Sequence, residues 1–399
     1  MTNDEFTQKK PETAPPKTAI GVLGWLKINL FNSWSNIFLT LLFGTLVYFI
    51  IKNTMEWILF RADWEVIAAN FKLLIVGQYP IGELWRVWIC FTLLSILMGI
   101  SAGIWKGTMG HLTFAMTGIY ILVASLPFVL LETRIWLLIN IALIIVTYLI
   151  GKWFIKYKKF ILISWFLMFP MTMFLLSGFG IFNRVGTNLW GGFLLTLLIA
   201  IVAIVFSFPI GVLLALGRRS KLPVVRWFCI AYIELIRGVP LITILFVAQL
   251  MLPMFLGDGA NIDNVVRAMV GFTLFSAAYL AENVRGGLQS IPRGQFEAAE
   301  ALGLNTMFKT MFIILPQSLR AVIPAMVGQF IGIFKDTSLV AVVGLTDLLG
   351  MGKNIISNPE FLGTQMEVFL FVALVFLIFC NMMSYASRRL EGALGVGER

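Results

Sequence analysis

Beyond residue 30 the chain alternates between apolar runs of roughly 16 to 24 residues and short polar stretches. Lipid cannot satisfy exposed backbone N–H and C=O groups, so runs of this length predict membrane-spanning α-helices and not barrel strands. They fall at 30–51, 88–105, 112–131, 135–150 and 160–179 in the first half, then at 193–216, 239–255, 265–280, 319–334 and 368–385 in the second. The fold class that follows is an all-α polytopic membrane protein with about ten transmembrane helices.

The two halves differ in what interrupts the runs. The first five contain few polar residues between their ends and read as lipid-facing scaffold. After the first of them, "KNTMEWILFRADWEVIAANFKLLIVGQYPIGELWR" mixes charge with aromatic residues and suits an amphipathic segment lying on the outer face. Past "NRVGTNLWGG" the runs are broken by Gly, Pro and charge. Ionisable groups inside a bilayer are expensive and face a protein interior or a water-filled path, which places the function in the second half. The implied organisation is a disordered cytoplasmic tail over 1–29, an N-terminal transmembrane extension over 30–185, a core over 186–391 and a cytoplasmic tail over 392–399. Residues 1–18, rich in Pro, Thr and Lys, lack the apolar core and small-residue cleavage site of a signal peptide. The second half does not repeat the first, which argues against a carrier built from inverted repeats.

Composition agrees with this picture: 59% of the 399 residues are hydrophobic and 13% charged, with a mean hydropathy of +0.91. The net charge of +10 resides in short clusters between spans, namely Lys9, Lys10, Lys17 and Lys27; Lys152, Lys156, Lys158 and Lys159; Arg218, Arg219, Lys221 and Arg226; and Arg388 with Arg389. Alternating spans put these clusters on one side, as cytoplasmic loops require, with both termini cytoplasmic; a nucleic-acid partner is not needed to explain the charge. Cys90, Cys229 and Cys380 lie far apart in or beside apolar runs and behave as small hydrophobes, and His111 is the only histidine, so neither a disulfide nor a metal framework is expected. Trp57, Trp64, Trp85, Trp88, Trp136, Trp153 and Trp190 sit near span ends, the usual interfacial belt. No cluster of nucleophile, base and orienting group and no dinucleotide fingerprint is present, so no cofactor is expected and the chain does not read as an enzyme.

One polar stretch does not fit a lipid-embedded reading. The alternation of spans leaves 286–316 in the cytoplasm. Ser290 and Pro292 suit a helix start, Glu297 its first turns, and Gly303 the left-handed position that ends it. Asn305 suits the cap of a second short helix with Met307, Phe308, Met311 and Phe312 on one face, which Pro316 then breaks. Ala298, Ala299 and Ala301 keep the first helix thin enough for a close protein contact. The shape predicted is a rigid elbow. The chain contains no G-x-x-x-x-G-K-[ST] phosphate loop, so work delivered to such an elbow has to come from a partner.

The spacing "EAA", three residues, Gly303, nine residues and "IILP" resembles the EAA signature of the inner-membrane permease subunits of binding-protein-dependent ABC importers, matching at Glu297, Ala298, Ala299, Gly303, Ile313, Leu315 and Pro316. "YIELIRGVPLI", "AAYLAENVRGGLQSIPRGQFEAAEALG" and "KDTSL" look like the amino-acid branch of that family, over about 190–391, and the long extension is similar to the general L-amino-acid subtype. The resemblance implies a five-helix type I importer core and a coupling helix at Glu297, Ala298, Ala299, Gly303, Leu315 and Pro316 that docks on separate ATPase subunits. It further implies a second permease subunit, a distinct homologue, a periplasmic binding protein that delivers an L-amino acid, and a place among the lipids of a bacterial inner membrane.

For the substrate path, adjacent Lys335 and Asp336 follow about 16 mostly apolar residues and offer both signs to a zwitterion, with hydroxyls from Thr337 and Ser338. The other reading is a structural ion pair closing a helix end. Glu234 with Arg237, and Glu282 with Arg285, are spaced to pair along a helix and to shape it or gate the path. The runner-up function is an ion-coupled secondary amino-acid carrier, which places intramembrane carboxylates or a His relay at the centre of the mechanism; a membrane scaffold protein explains only the first half.

Overall fold

The computed structural model describes residues 21–105, 107–256 and 262–395, and among these the regular elements are all helices. Among the described residues nine helices are long and apolar enough to cross a membrane, or ten when one bent pair is taken as a single span. The chain divides at Asp63 into two units.

The first unit carries α1 (Gly21–Asn29) and α2 (Trp34–Phe60), so the tail expected to be disordered to residue 29 is helical over its last nine residues, while 1–20 lie outside the described residues. Ser33 starts α2 by accepting the Asn36 N–H. No residue of α2 is buried.

The second unit begins with α3 (Glu65–Ala69) and α4 (Phe71–Val76). The segment read as interfacial turns inward here: Val66, Leu74 and Tyr79 are fully buried, and the Tyr79 hydroxyl donates to Leu176 O at 2.9 Å. The remaining extension is α5 (Leu84–Trp105), α6 (Thr108–Ser125), α7 (Leu131–Gly151) and α8 (Lys158–Ser177). Polarity within it is greater than the run pattern suggests. Arg86, 1% exposed, pairs with Glu83 at 2.7 Å and donates to Asn183 O at 2.8 Å. The glycines of α5 and α7 let the two backbones touch; a Cβ on Gly103 lies 2.5 Å from Tyr148 O. In lipid such close small-residue contacts replace the hydrophobic drive that soluble helices use to pair.

The five-helix core follows. α9 (Gly192–Arg218) leads to α10 (Pro223–Arg237), which turns by 105° at Gly238–Pro240 into α11 (Leu241–Phe246), a π turn over Val247–Met251 and α12 (Leu252–Leu256). The run read as a separate span over 239–255 is the second arm of this bent pair. α13 (Asn264–Ser290) packs along α9, with Gly211 of α9 set against Leu280 and Ala277. α14 (Arg293–Ala301) and α15 (Thr306–Phe308) precede a π turn over Lys309–Ile314 and α16 (Leu315–Asp336). Pro316 does not break the helix as expected. It lies just after the π turn in a helix that runs on from Thr306, and the wider π turn ahead of it gives the proline ring room that a regular helix would deny.

α17 (Leu348–Ile356) and α18 (Gln365–Leu394) complete the chain, α18 carrying three residues of the tail expected from 392. Asp347 caps α17, accepting the Gly350 N–H at 2.9 Å, and it is fully buried. Burial pushes its carboxyl up to about 6. Because the folded value exceeds the ordinary one, the native state binds the extra proton, and stability falls as pH rises from about 4 through 6. Asp347→Asn keeps the cap and removes the charge, so its thermal midpoint should match or exceed wild type above pH 6. Asp347→Ala should lose about 1 kcal/mol of capping. Melting of the detergent-solubilised chain at pH 4.5 and 7.5 checks both.

Candidate functional site

The elbow is built from α14, its cap and the root of α16. The helix ends in a Schellman turn: Gly303 N–H bonds to Glu300 O at 2.9 Å and Leu304 N–H to Ala299 O at 3.2 Å. Gly303 adopts φ +73°, the left-handed region, with no heavy atom within 4 Å of where a Cβ would stand. Two side-chain links brace the bend. Lys309 pairs with Glu300, holding that carboxyl below the usual range, and Gln317 Nε2 donates to Gln295 Oε1 at 3.1 Å. Asn305 caps the second arm by accepting the Phe308 N–H at 2.9 Å, as expected. Ser290 does not start α14; it closes α13 and donates to Gly287 O.

Glu297, Ala298 and Pro316 are exposed, whereas Ala299 turns inward. Leu302, Met307 and Phe312 are also open, at 79%, 68% and 69%, so the elbow presents an apolar surface around its acids. Its root is solid: Ile314 and Leu315 are buried in a cluster with Leu214, Ile233, Val284 and Leu288 from α9, α10 and α13. Gly287 lets α13 cross against α16, where its Cβ would sit 2.5 Å from Ser318 O. The elbow is therefore joined through packed atoms to α9, α10, α13 and α16.

Beside the root lies a charged network of which residue spacing predicts only a part. Glu282 accepts from Arg285 Nε at 2.7 Å, as its spacing predicts. It also faces Arg218 at 3.3 Å and Arg237 at 3.8 Å. Glu234 does not pair with Arg237; it binds Arg218 at 2.9 Å, and Arg237 lies over the Tyr279 ring at 5.6 Å. Glu234 from α10 and Glu282 from α13 thus converge on Arg218 at the end of α9. Arg218 is the residue the sequence reading passed over, as one of a basic cluster; its signal was a charge directly closing an apolar run.

The residues read as a substrate path are less assembled. Lys335 is exposed and Asp336 half-buried at the end of α16, and neither has an ion pair among the described residues. The buried Thr337 donates its hydroxyl to Phe334 O and Ser338 donates to Lys335 O, so helix carbonyls occupy both hydroxyl protons. A cleft of about 1520 Å³ lies elsewhere, lined by α8, α9 and α13 together with Arg184, Asn188 and Asp263.

Residues 207–393 match the family model of the binding-protein-dependent transport system inner membrane component. An inner membrane amino-acid ABC transporter permease of Escherichia coli K12 is 38% identical over 388 residues, covering 94% of this chain and 93% of its own. A glutamate/glutamine/aspartate/asparagine transport system permease of Rhodobacter capsulatus is 35% identical over 427 residues, covering 95% of each. Among solved structures, an amino acid ABC transporter with histidines matches at 27% identity and a TM-score of 0.46 over 51% of this chain and 92% of its own. With likeness to the first relative running through both the extension and the core, the chain belongs to the amino-acid ABC transporter permeases, inner-membrane components of binding-protein-dependent transport.

Proposed function

We propose that this permease moves L-amino acids inward by alternating access, as the transmembrane subunit of an ATP-driven importer. The observation that carries the reading is the elbow: exposed, capped, braced by two side-chain links and rooted in the helix cluster of the core, on a chain without a phosphate loop. Glu297 and Ala298 with the Gly303 turn form the contact for an ATPase subunit, Ala299 packs behind them against the core, and Leu315 with Pro316 forms the fulcrum. Movement of α14 tilts α16 against α13 and biases the inward- against the outward-facing arrangement. The working complex holds a second, different permease, two ATPase subunits and a periplasmic binding protein, with the elbow and both termini of this chain in the cytoplasm. The ion-coupled carrier is not favoured, given the family.

Reconstituted with its ATPase and paired permease, the chain should take up amino acids only when ATP is present, and hydrolysis should rise when loaded binding protein is added. Uptake by this chain alone under an ion gradient would overturn the proposal.

Within it, Asp336 reads the substrate ammonium at the end of α16, opposite in sign to the exposed Lys335. Asp336→Asn should lower uptake at least about tenfold for every zwitterionic substrate, the loss of one charge-assisted hydrogen bond, while ATPase binding is kept. Uptake at the wild-type rate would reduce Asp336 to a helix-end residue.

A further inference from the structure

The junction between α7 and α8 carries "KWFIKYKKF" over 152–160, and neither the elbow nor the charged network uses it. Lys152, Lys156, Lys158 and Lys159 are all exposed. None forms an ion pair with a carboxylate among the described residues; Lys152 instead rests over the Tyr148 ring at 4.6 Å. Between the lysines, Trp153, Tyr157 and Phe160 are 88%, 51% and 65% exposed. Only six residues separate Gly151, the last of α7, from Lys158, the first of α8, so the whole group stays at the depth where the spans leave the hydrocarbon. Four cations without acidic partners, interleaved with aromatic side chains at headgroup level, form a surface complementary to phosphodiesters held beside acyl chains.

We infer that the α7–α8 junction is a docking site for anionic phospholipid. The lysines bind the headgroup phosphates while Trp153 and Phe160 enter the acyl boundary. The attraction is local to four adjacent charges, and it weakens as salt rises because the site is exposed. Apart from signalling topology, the basic cluster thus ties one hairpin of the extension to the composition of the surrounding membrane.

The test uses the purified full-length chain in detergent, titrated with short-chain phosphatidylglycerol, phosphatidylcholine or glycerol 3-phosphate and read by native mass spectrometry. Phosphatidylglycerol should be retained at least about tenfold better than phosphatidylcholine, and glycerol 3-phosphate should not compete. The variant K152Q/K156Q/K158Q/K159Q should lose the preference, and K152R/K156R/K158R/K159R should keep it. Equal retention of the two lipids, a preference surviving the glutamine changes, or competition by glycerol 3-phosphate would each overturn the assignment. So would protection of these lysines from acetylation by a bound protein subunit and not by anionic lipid. A measurement that needs no lysine variant follows Trp153. The quenching difference between wild type and Trp153→Phe should be larger with phosphatidylglycerol brominated near the headgroup than with equally brominated phosphatidylcholine, and equal quenching would count against the site.

Discussion

Gly303→Val is expected to reduce ATP-coupled uptake to less than about a tenth of wild type while the chain still inserts and its α9–α13 core stays folded. The argument is backbone geometry alone. At φ +73° with open space around the Cβ position, a new side chain meets no neighbour. A non-glycine residue held in that region costs about 1–3 kcal/mol, most for a β-branched one. That is comparable with what the two Schellman hydrogen bonds contribute, so the turn yields and α14 no longer meets α16 at the angle the root imposes. Asn tolerates the left-handed region, and Gly303→Asn should retain most uptake. Proteoliposomes containing the partner subunits, with insertion checked separately, provide the measurement. Normal uptake by the valine variant would remove the elbow's angle from the mechanism.

The second large effect is expected at Glu282. Glu282→Gln preserves volume but leaves three guanidinium groups around a neutral amide. Full burial of such a loss costs about 3–5 kcal/mol; with these side chains 21–34% exposed, water screens part of it and about 1–3 kcal/mol is expected. The thermal midpoint and uptake should both fall. Arg218→Gln should cost less, because its other partner Glu234 is largely solvated. The double variant should be milder than the sum by about 1 kcal/mol, since both changes remove the same contact. Additive effects would show that Arg218 and Glu282 are neighbours without being coupled, and the network would not act as one latch across α9, α10 and α13.

What could be read from the chain follows from distance along it. The spans were visible because a lipid-crossing helix writes its requirement into about 20 consecutive residues. The elbow was visible because a left-handed glycine and an asparagine cap act within a few positions, and Gly303 and Asn305 do what their chemistry implies. The misreadings came where partners are remote. Arg218 reaches Glu282, 64 residues away, and Arg86 reaches Asn183, 97 away. Alternation cannot specify such pairs, so the i, i+3 spacing of Glu234 and Arg237 pointed to the wrong one. Pro316 misled for a different reason: a π turn opens the backbone just ahead of it, and nothing in residues 309–314 announces that extra residue per turn. The outer segment misled because mixed charged and aromatic sequence suits an interface, while its Leu74 and Tyr79 turned out to have protein to fill.

That inward turn bears on how the extension can be removed. Leu74 packs with Phe193 and Leu348 in one cluster, and Tyr79 and Leu176 share another with Leu194, Leu195 and Ile199. A chain begun at residue 186 would bring a ragged seam to the bilayer, its sockets shaped for side chains that no longer exist and that fluid acyl tails fill poorly. The segments around Leu74, Tyr79 and Leu176 thus act as a keystone of the second unit, and a version shortened at 186 is expected to need new side chains along α9.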